Sequence, residues 1–198
     1  MFYKTNENHN LRYNPFKACI VPRPIGWIST ISNDGVVNLA PFSYFNAVSD
    51  APPVIMFSSA VKKDGDDKDT VKNIEQNGEF VFNIATYELH AKMVQSSEPL
   101  PYGVSETVEY GIATVQSRLV KPPRIELSPI HLECKHIKTV TLDIDGVNPG
   151  VKVIFGHVIG CHIDDSVLVD GKVDLKKVRP IARLGYNQYA VIDNIYVS

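Results

Sequence analysis

Short runs of β-branched and aromatic residues, each closed by a proline or glycine turn signal, recur along nearly the whole chain. That spacing favours many short strands joined by tight turns, which bury their apolar faces as a sandwich or a barrel. Val21-Pro22-Arg23-Pro24 holds the chain extended, because each proline pushes the residue before it towards β or polyproline geometry. Residues 25–31 (IGWISTI) then read as a strand, and Asn33-Asp34-Gly35 as the hairpin turn after it. The return strand, 36–45, contains Pro41 and must sit at an edge, bulge or bend there. Residues 53–58 (PVIMFS) are almost continuously apolar and are expected as a strand buried on both faces. Further strands are expected over 79–84, 117–121, 130–142 and 151–163, with Pro122-Pro123 and Asn148-Pro149-Gly150 as separators. An Asp170-Gly171 turn lies within 167–175, and the chain closes through 180–189 into an apolar strand-like end.

Helical signals are few. Asp69-Thr70 can cap a short helix with Val71 and Ile74 on its apolar face and Asn77-Gly78 at its end. Residues 87–95 (YELHAKMVQ) read as a second helix, and 96–110, rich in Pro, Gly, Ser and Glu, as a long surface excursion. The polar residues 1–15 read as an arm and 16–198 as one domain, so the fold class is mainly β with a few short peripheral helices.

A net charge of −2 gives no basic field for nucleic acid or an anionic membrane. Cys19, Cys134 and Cys161 are far apart and odd in number, which argues against a disulfide framework and for a reducing compartment. With no signal-peptide core and no apolar run long enough to span a bilayer, a cytoplasmic location is expected.

Two stretches could carry chemistry. The hairpin over 23–45 sets Trp27, Ser29, Thr30, Asn38 and Ser43, with Asn46 just beyond, among apolar residues. Small hydroxyls and amides beside an aromatic suit a flat heteroaromatic ligand, and they equally suit an ordinary strand with a polar solvent face. Ser58-Ser59 ends a strand, and Lys68-Asp69-Thr70 opens a helix. Free N–H groups at a helix start, with a lysine and a hydroxyl, fit a phosphate, and a plain Asp N-cap fits as well. GxGxxG, GxxxxGK[ST] and GxSxG are all absent. His131 and His136, like His157 and His162, are five apart, which in a strand puts them on opposite faces and assembles no metal site. Of these, His157 or His162 is the better candidate beside a cofactor pocket.

The ordered set of motifs adds a resemblance. Arg23-Pro-Ile-Gly-Trp-Ile-Ser-Thr-Ile, Asp34-Gly35 and Asn38-Leu-Ala-Pro-Phe-Ser-Tyr-Phe-Asn46 resemble the opening of the flavin reductase-like, FMN-binding split-barrel family. Ser58, Lys68-Asp-Thr-Val-Lys-Asn-Ile74 and Glu79-Phe-Val-Phe-Asn83 resemble the family's next segments, in the same order. So do Gly156-His-Val-Ile-Gly160 and Pro180-Ile-Ala-Arg-Leu-Gly185 with Tyr189, nearest the flavoredoxin-like and small flavin reductase branch. The resemblance implies a six-stranded split β-barrel of Greek-key character, acting as a homodimer with FMN in a groove near the dimer interface. On this chain, Trp27, Ile28, Ser29 and Thr30, with Asn38, Ala40, Pro41, Phe42, Ser43 and Asn46, would line the isoalloxazine and ribityl chain. Ser58, Lys68, Asp69 and Thr70 would meet the phosphate, and Arg183 and Tyr189 would close the pocket, from the same chain or from the partner subunit.

The implied activity is hydride transfer from NAD(P)H to FMN, with no protein acid, base or metal required. Reduced flavin would serve a partner oxygenase or another acceptor. A bound-FMN electron carrier and a flavin-free binding barrel are the alternatives. Asp64, Asp66, Asp67 and Asp69 would weaken phosphate affinity by repulsion, and the 96–110 excursion would cover or remodel the flavin mouth.

Overall fold

The computed structural model describes residues 1–62, 65–143 and 150–196. Asp64 and the Asn148-Pro149 portion of the expected separator lie outside the described residues. The early strands are β1 (Arg23–Pro24), β2 (Gly26–Ile31), β3 (Val37–Phe42), β4 (Phe45–Asp50) and β5 (Pro53–Ala60). Helix α1 (Asp69–Asn77), strand β6 (Glu79–Ile84), and helices α2 (His90–Gln95) and α3 (Glu106–Glu109) come next. Then come β7 (Thr114–Val115), β8 (Arg124–Ile125), and the two long strands β9 (Ile130–Leu142) and β10 (Val151–Ile163). The chain ends through β11 (Leu168–Val169), β12 (Lys172–Val173), α4 (Leu175–Val178), β13 (Ile181–Arg183) and β14 (Tyr189–Val191). No helix among the described residues is long and apolar enough to cross a membrane.

The main sheet runs β3-β2-β6-β9-β10-β5-β4, antiparallel throughout. It curls without closing and makes a split barrel. It holds seven strands because residues 36–45 do not form one strand. Pro41 and a corner at Ser43-Tyr44 end β3, and the chain re-enters as β4 on the opposite edge, beside β5. Side chains bridge the gap between the edges. Phe42 meets Phe57 with ring centres 4.6 Å apart, and Phe45 stacks on Phe82 at 4.8 Å. A side chain on Gly26 would run into the Phe45 ring, with its Cβ 2.5 Å from Cδ2.

The barrel interior is filled by Ile28, Phe57, Phe80, Phe82 and Ile154, with Val71 and Ile74 of α1 packed into the same core. A second core lies outside the sheet, where Trp27 and Leu39 meet Leu89, Met93, Ile112, Ile125 and Ile181. Alternation along the strand sends neighbours Trp27 and Ile28 into different cores, so β2 is buried on both faces. Strand β5 departs from expectation. Ile55, Phe57 and Ser59 are buried, whereas Val54, Met56 and Ser58 remain partly open, the half-buried alternation of an antiparallel sheet.

Two local features match the sequence closely. Helix α1 ends on Gly78 in the left-handed region (φ 69°), and the Gly78 N–H returns to the Ile74 carbonyl. Asp170 and Gly171 both take positive φ in the tight turn between β11 and β12. Residues 117–121, expected as a strand, do something else. The N–H groups of Arg118, Leu119 and Val120 all point at the buried Glu133 carboxylate, so no ladder partner takes them.

Candidate functional site

Helix α1 opens without a side-chain cap. The expected capping residue, Asp69, instead accepts a 2.6 Å hydrogen bond from the Lys62 ammonium. The free N-terminal N–H groups of the helix, with their partial positive charge, are therefore flanked by Lys62, Lys68 and Thr70. A buried network fixes this end to the sheet. Asn38 Nδ2 donates to Thr70 Oγ1 at 2.8 Å, and Asn73 Nδ2 donates to Thr30 Oγ1 at 3.1 Å.

A cleft of about 420 Å³ begins at this helix end. Asn38, Ala40 and Pro41 of β3 form its floor, and Ser97, Pro99 and Tyr102 of the 96–110 excursion form its far wall. A second hollow of about 220 Å³ continues it, bounded by Arg23, Ser43, Arg183, Tyr186 and Tyr189. Pro41 and Ser97 border both, so the two make one trough along the outside of β3. At its far end the Arg183 guanidinium lies over the Tyr189 ring, 4.4 Å from its centre, and Arg183 Nη2 donates to the Tyr186 carbonyl at 2.7 Å.

The trough thus brings together Asn38, Ala40, Pro41, Ser43, Lys68, Asp69, Thr70, Arg183 and Tyr189. Trp27, Ile28, Ser29 and Thr30 are fully buried and stand behind it. Trp27 Nε1 donates to Ser96 Oγ at 2.9 Å, which braces the wall, and Ser29 Oγ donates to the Pro123 carbonyl at 2.6 Å. Phe42 points into the barrel, with the Lys68 ammonium 5.6 Å from its ring centre. Asn46 and Ser58 line neither part of the trough. Asn46 Oδ1 takes the Ala47 N–H, and the Ser58 N–H goes to the Tyr44 carbonyl. Lys62, Ser97, Tyr102, Glu106, Arg23 and Tyr186 belong to the trough and were not singled out by sequence reasoning. The one signal for the wall was the unusual length of the 96–110 excursion.

The acidic loop does not act as expected. Asp66 pairs with Lys72 at 2.8 Å, Asp67 with Lys152 at 2.7 Å and Asp69 with Lys62. Each described acid is thus neutralised by a lysine, and the supposed repulsion of a phosphate is offset locally. Lys68 forms no ion pair among the described residues. The residue is exposed as a whole, but partial burial of its charged group and the neighbouring Lys62 charge hold its pKa below the usual lysine range.

Glu106 of α3 is a buried carboxylate on the cleft, and its Oε2 accepts the Leu39 N–H at 2.8 Å. It covers a donor on the open edge of β3. Burial, with a smaller push from Asp69, raises its pKa, and the Leu39 N–H only partly opposes this. An acid with a raised folded pKa makes stability fall as pH climbs from the ordinary carboxyl value through the folded one. Glu106→Gln keeps an acceptor and removes that titration. In urea unfolding from about pH 4 to 7, the parent should lose stability relative to this variant.

His157 is exposed on β10, and His162 lines a separate polar cavity that shares no residue with the trough.

With this geometry in hand, comparison with known proteins is decisive. The family model described as "Flavin reductase like domain" matches residues 18–179. The chain belongs to the flavin reductase-like family. An uncharacterized protein of Aquifex aeolicus (strain VF5) is 42% identical over 178 residues, covering 89% of this chain and 88% of that protein. The nitrilotriacetate monooxygenase component B from Bacillus cereus superposes with a TM-score of 0.91 at 26% identity, covering 100% of this chain and 98% of that one. Flavoredoxin of Desulfovibrio vulgaris (Miyazaki F) superposes with a TM-score of 0.77 at 18% identity, covering 100% and 97%, a likeness of fold alone. This flavin reductase-like domain is therefore a split barrel of a flavin-related oxidoreductase family, and its trough lies on residues within the matched span and just beyond it.

Proposed function

We propose that the chain binds FMN along the trough and passes hydride from NAD(P)H to it, as a homodimer in the cytoplasm. One observation carries this reading: a single continuous trough joins an uncapped, lysine-flanked helix start to a flat strand floor. A dianion suits the first end, where helix N–H groups, Lys62, Lys68 and the Thr70 hydroxyl converge. Flat rings suit the second, where Ala40 and Pro41 offer apolar contact and Ser43 a hydroxyl. Arg183 and Tyr189 close that end, and residues Ser97 to Tyr102 wall the floor on one side.

Bound FMN supplies the two-electron chemistry, and the chain supplies position and charge. Ser29 and Thr30 hold the floor strand from behind rather than touching ligand. The three unpaired cysteines fit a reducing compartment. Delivery of reduced flavin to an oxygenase is in line with the Bacillus cereus neighbour being a monooxygenase component B.

The test is an anaerobic absorbance titration of the pure protein with FMN, then with NADH or NADPH. A flavin band that shifts on binding and bleaches with either nucleotide is the expected result. Binding without bleaching would make the chain a bound-flavin electron carrier. No uptake of FMN would remove the assignment altogether.

A further inference from the structure

A third hollow, of about 580 Å³, adjoins the ring end of the trough. Lys17 and Tyr186 line it and the second hollow alike, and Tyr13, Asn14, Asn187 and Gln188 complete its border. Two segments far apart in sequence build it, the chain before β1 and the turn between β13 and β14. Arg23, only 5% exposed, ties them together. Its guanidinium donates to the Lys17 and Ile20 carbonyls at 2.5 and 2.6 Å and to the Leu184 carbonyl at 2.8 Å. The segments also pack closely, since a Cβ on Gly185 would lie 2.5 Å from Ala18 Cβ.

The lining points to one ligand chemistry. Tyr186 has a φ of 56°, in the left-handed region that a bulky side chain rarely adopts. Such a conformation persists where the surroundings impose it, as the Arg183 Nη2 bond to the Tyr186 carbonyl does here, and it recurs at ligand clamps. The Tyr186 ring remains exposed and meets Tyr13 edge-on at 5.8 Å, so two aromatic rings border the hollow. A flat base stacks on such rings. The side-chain amides of Asn14, Asn187 and Gln188 offer the paired donors and acceptors that the edge of a purine takes. Among the described residues, no acid lines the second or third hollow, whereas Lys17, Arg23 and Arg183 do. Lys17, at the join, forms no ion pair among the described residues and is open to a phosphate. A purine nucleotide meets all of these groups. Direction along the trough selects which one. With the flavin phosphate at α1, the adenylate of a flavin dinucleotide would leave from the α1 end, whereas this hollow opens from the ring end, where the reductant approaches.

We propose that the third hollow holds the adenosine half of NAD(P)H, with the base against Tyr13 and Tyr186 and the pyrophosphate at Lys17. This rests on the flavin reading and adds to it the place of the second substrate. The test is calorimetric titration of the FMN-loaded full chain with ADP-ribose, which carries no nicotinamide to react. Saturable one-site binding is expected. Tyr13 is exposed and borders the third hollow but neither part of the trough. Tyr13→Ala should therefore weaken ADP-ribose about fivefold or more and raise the KM for NAD(P)H in step, with FMN affinity unchanged. Lys17→Ala should weaken ADP-ribose about tenfold, a deficit that shrinks as salt is raised. Failure to take up FMN would remove both readings together. FMN uptake and bleaching by NAD(P)H, with no saturable ADP-ribose heat or with binding indifferent to both substitutions, would overturn this inference alone.

Discussion

Glu133→Ala should remove about 3–5 kcal/mol of unfolding free energy, because it leaves several donors without their buried acceptor at roughly 1–3 kcal/mol each. Glu133 is fully buried on β9 and gathers four donors. The N–H groups of Arg118, Leu119 and Val120 lie at 2.8, 2.6 and 3.1 Å, and His162 Nε2 at 2.5 Å. Burial by itself would raise the Glu133 pKa. The Arg118 N–H, His162 and the Leu119 N–H outweigh it and hold the carboxyl below its ordinary range. A depressed folded pKa contributes stability that is present above the unfolded value, near about 4.3, and is lost as pH falls through the folded one. Alanine strands all four donors at once. Glu133→Gln keeps an oxygen but not the charge, and should fall between parent and alanine variant. Urea midpoints at neutral pH decide the matter: if the alanine variant unfolds with the parent, this carboxylate does not anchor the 117–121 segment.

The paired substitution Lys62→Ala/Lys68→Ala should weaken FMN about 100-fold. Each charged hydrogen bond to a phosphate is worth roughly 1.5–3 kcal/mol, about tenfold or more in affinity. Lys62 contributes twice over, because its loss also frees the Asp69 carboxylate beside the incoming anion. The deficit should shrink as salt is raised, since the lost term is partly screened Coulomb attraction at a cleft open to solvent. Quenching of flavin fluorescence measures it directly. An unchanged dissociation constant would move the phosphate away from the α1 end.

Structure set by local signals is legible in the sequence, and structure set by long-range contacts is not. Helix α1 was legible because its apolar face and its Gly78 stop lie within a few turns of each other. Strands β9 and β10 were legible as long apolar-rich runs between breakers. Strand β4 was not, because its strand character comes from pairing with β5 across a corner that composition does not mark. The helix end of the trough was visible in Lys68-Asp69-Thr70, where charge, hydroxyl and helix start coincide. Trp27 to Thr30 were harder. Their polar groups announced a ligand or a solvent face, but a cover drawn from residues as distant as Met93, Pro123 and Ile181 buries them. The meeting of His131 and His162 depends on register shifts near Gly156 and Gly160, which no spacing rule anticipates. At Gly156 a Cβ would lie 2.2 Å from Phe80 Cζ, so the close crossing of β10 over the barrel core requires glycine.

The double burial of β2 carries a consequence for how such a chain can change over generations. Most strands have one face on which substitutions drift cheaply. Trp27 and Ile28, adjacent in sequence, answer to two separate interiors, and beside them Ser29 donates to the distant Pro123 carbonyl and Thr30 accepts from Asn73 of α1. A change at any of the four must be matched inside the barrel or in the outer cover. Variation in ligand preference is therefore free to accumulate along the trough's exposed wall, while the strand behind its floor stays nearly fixed.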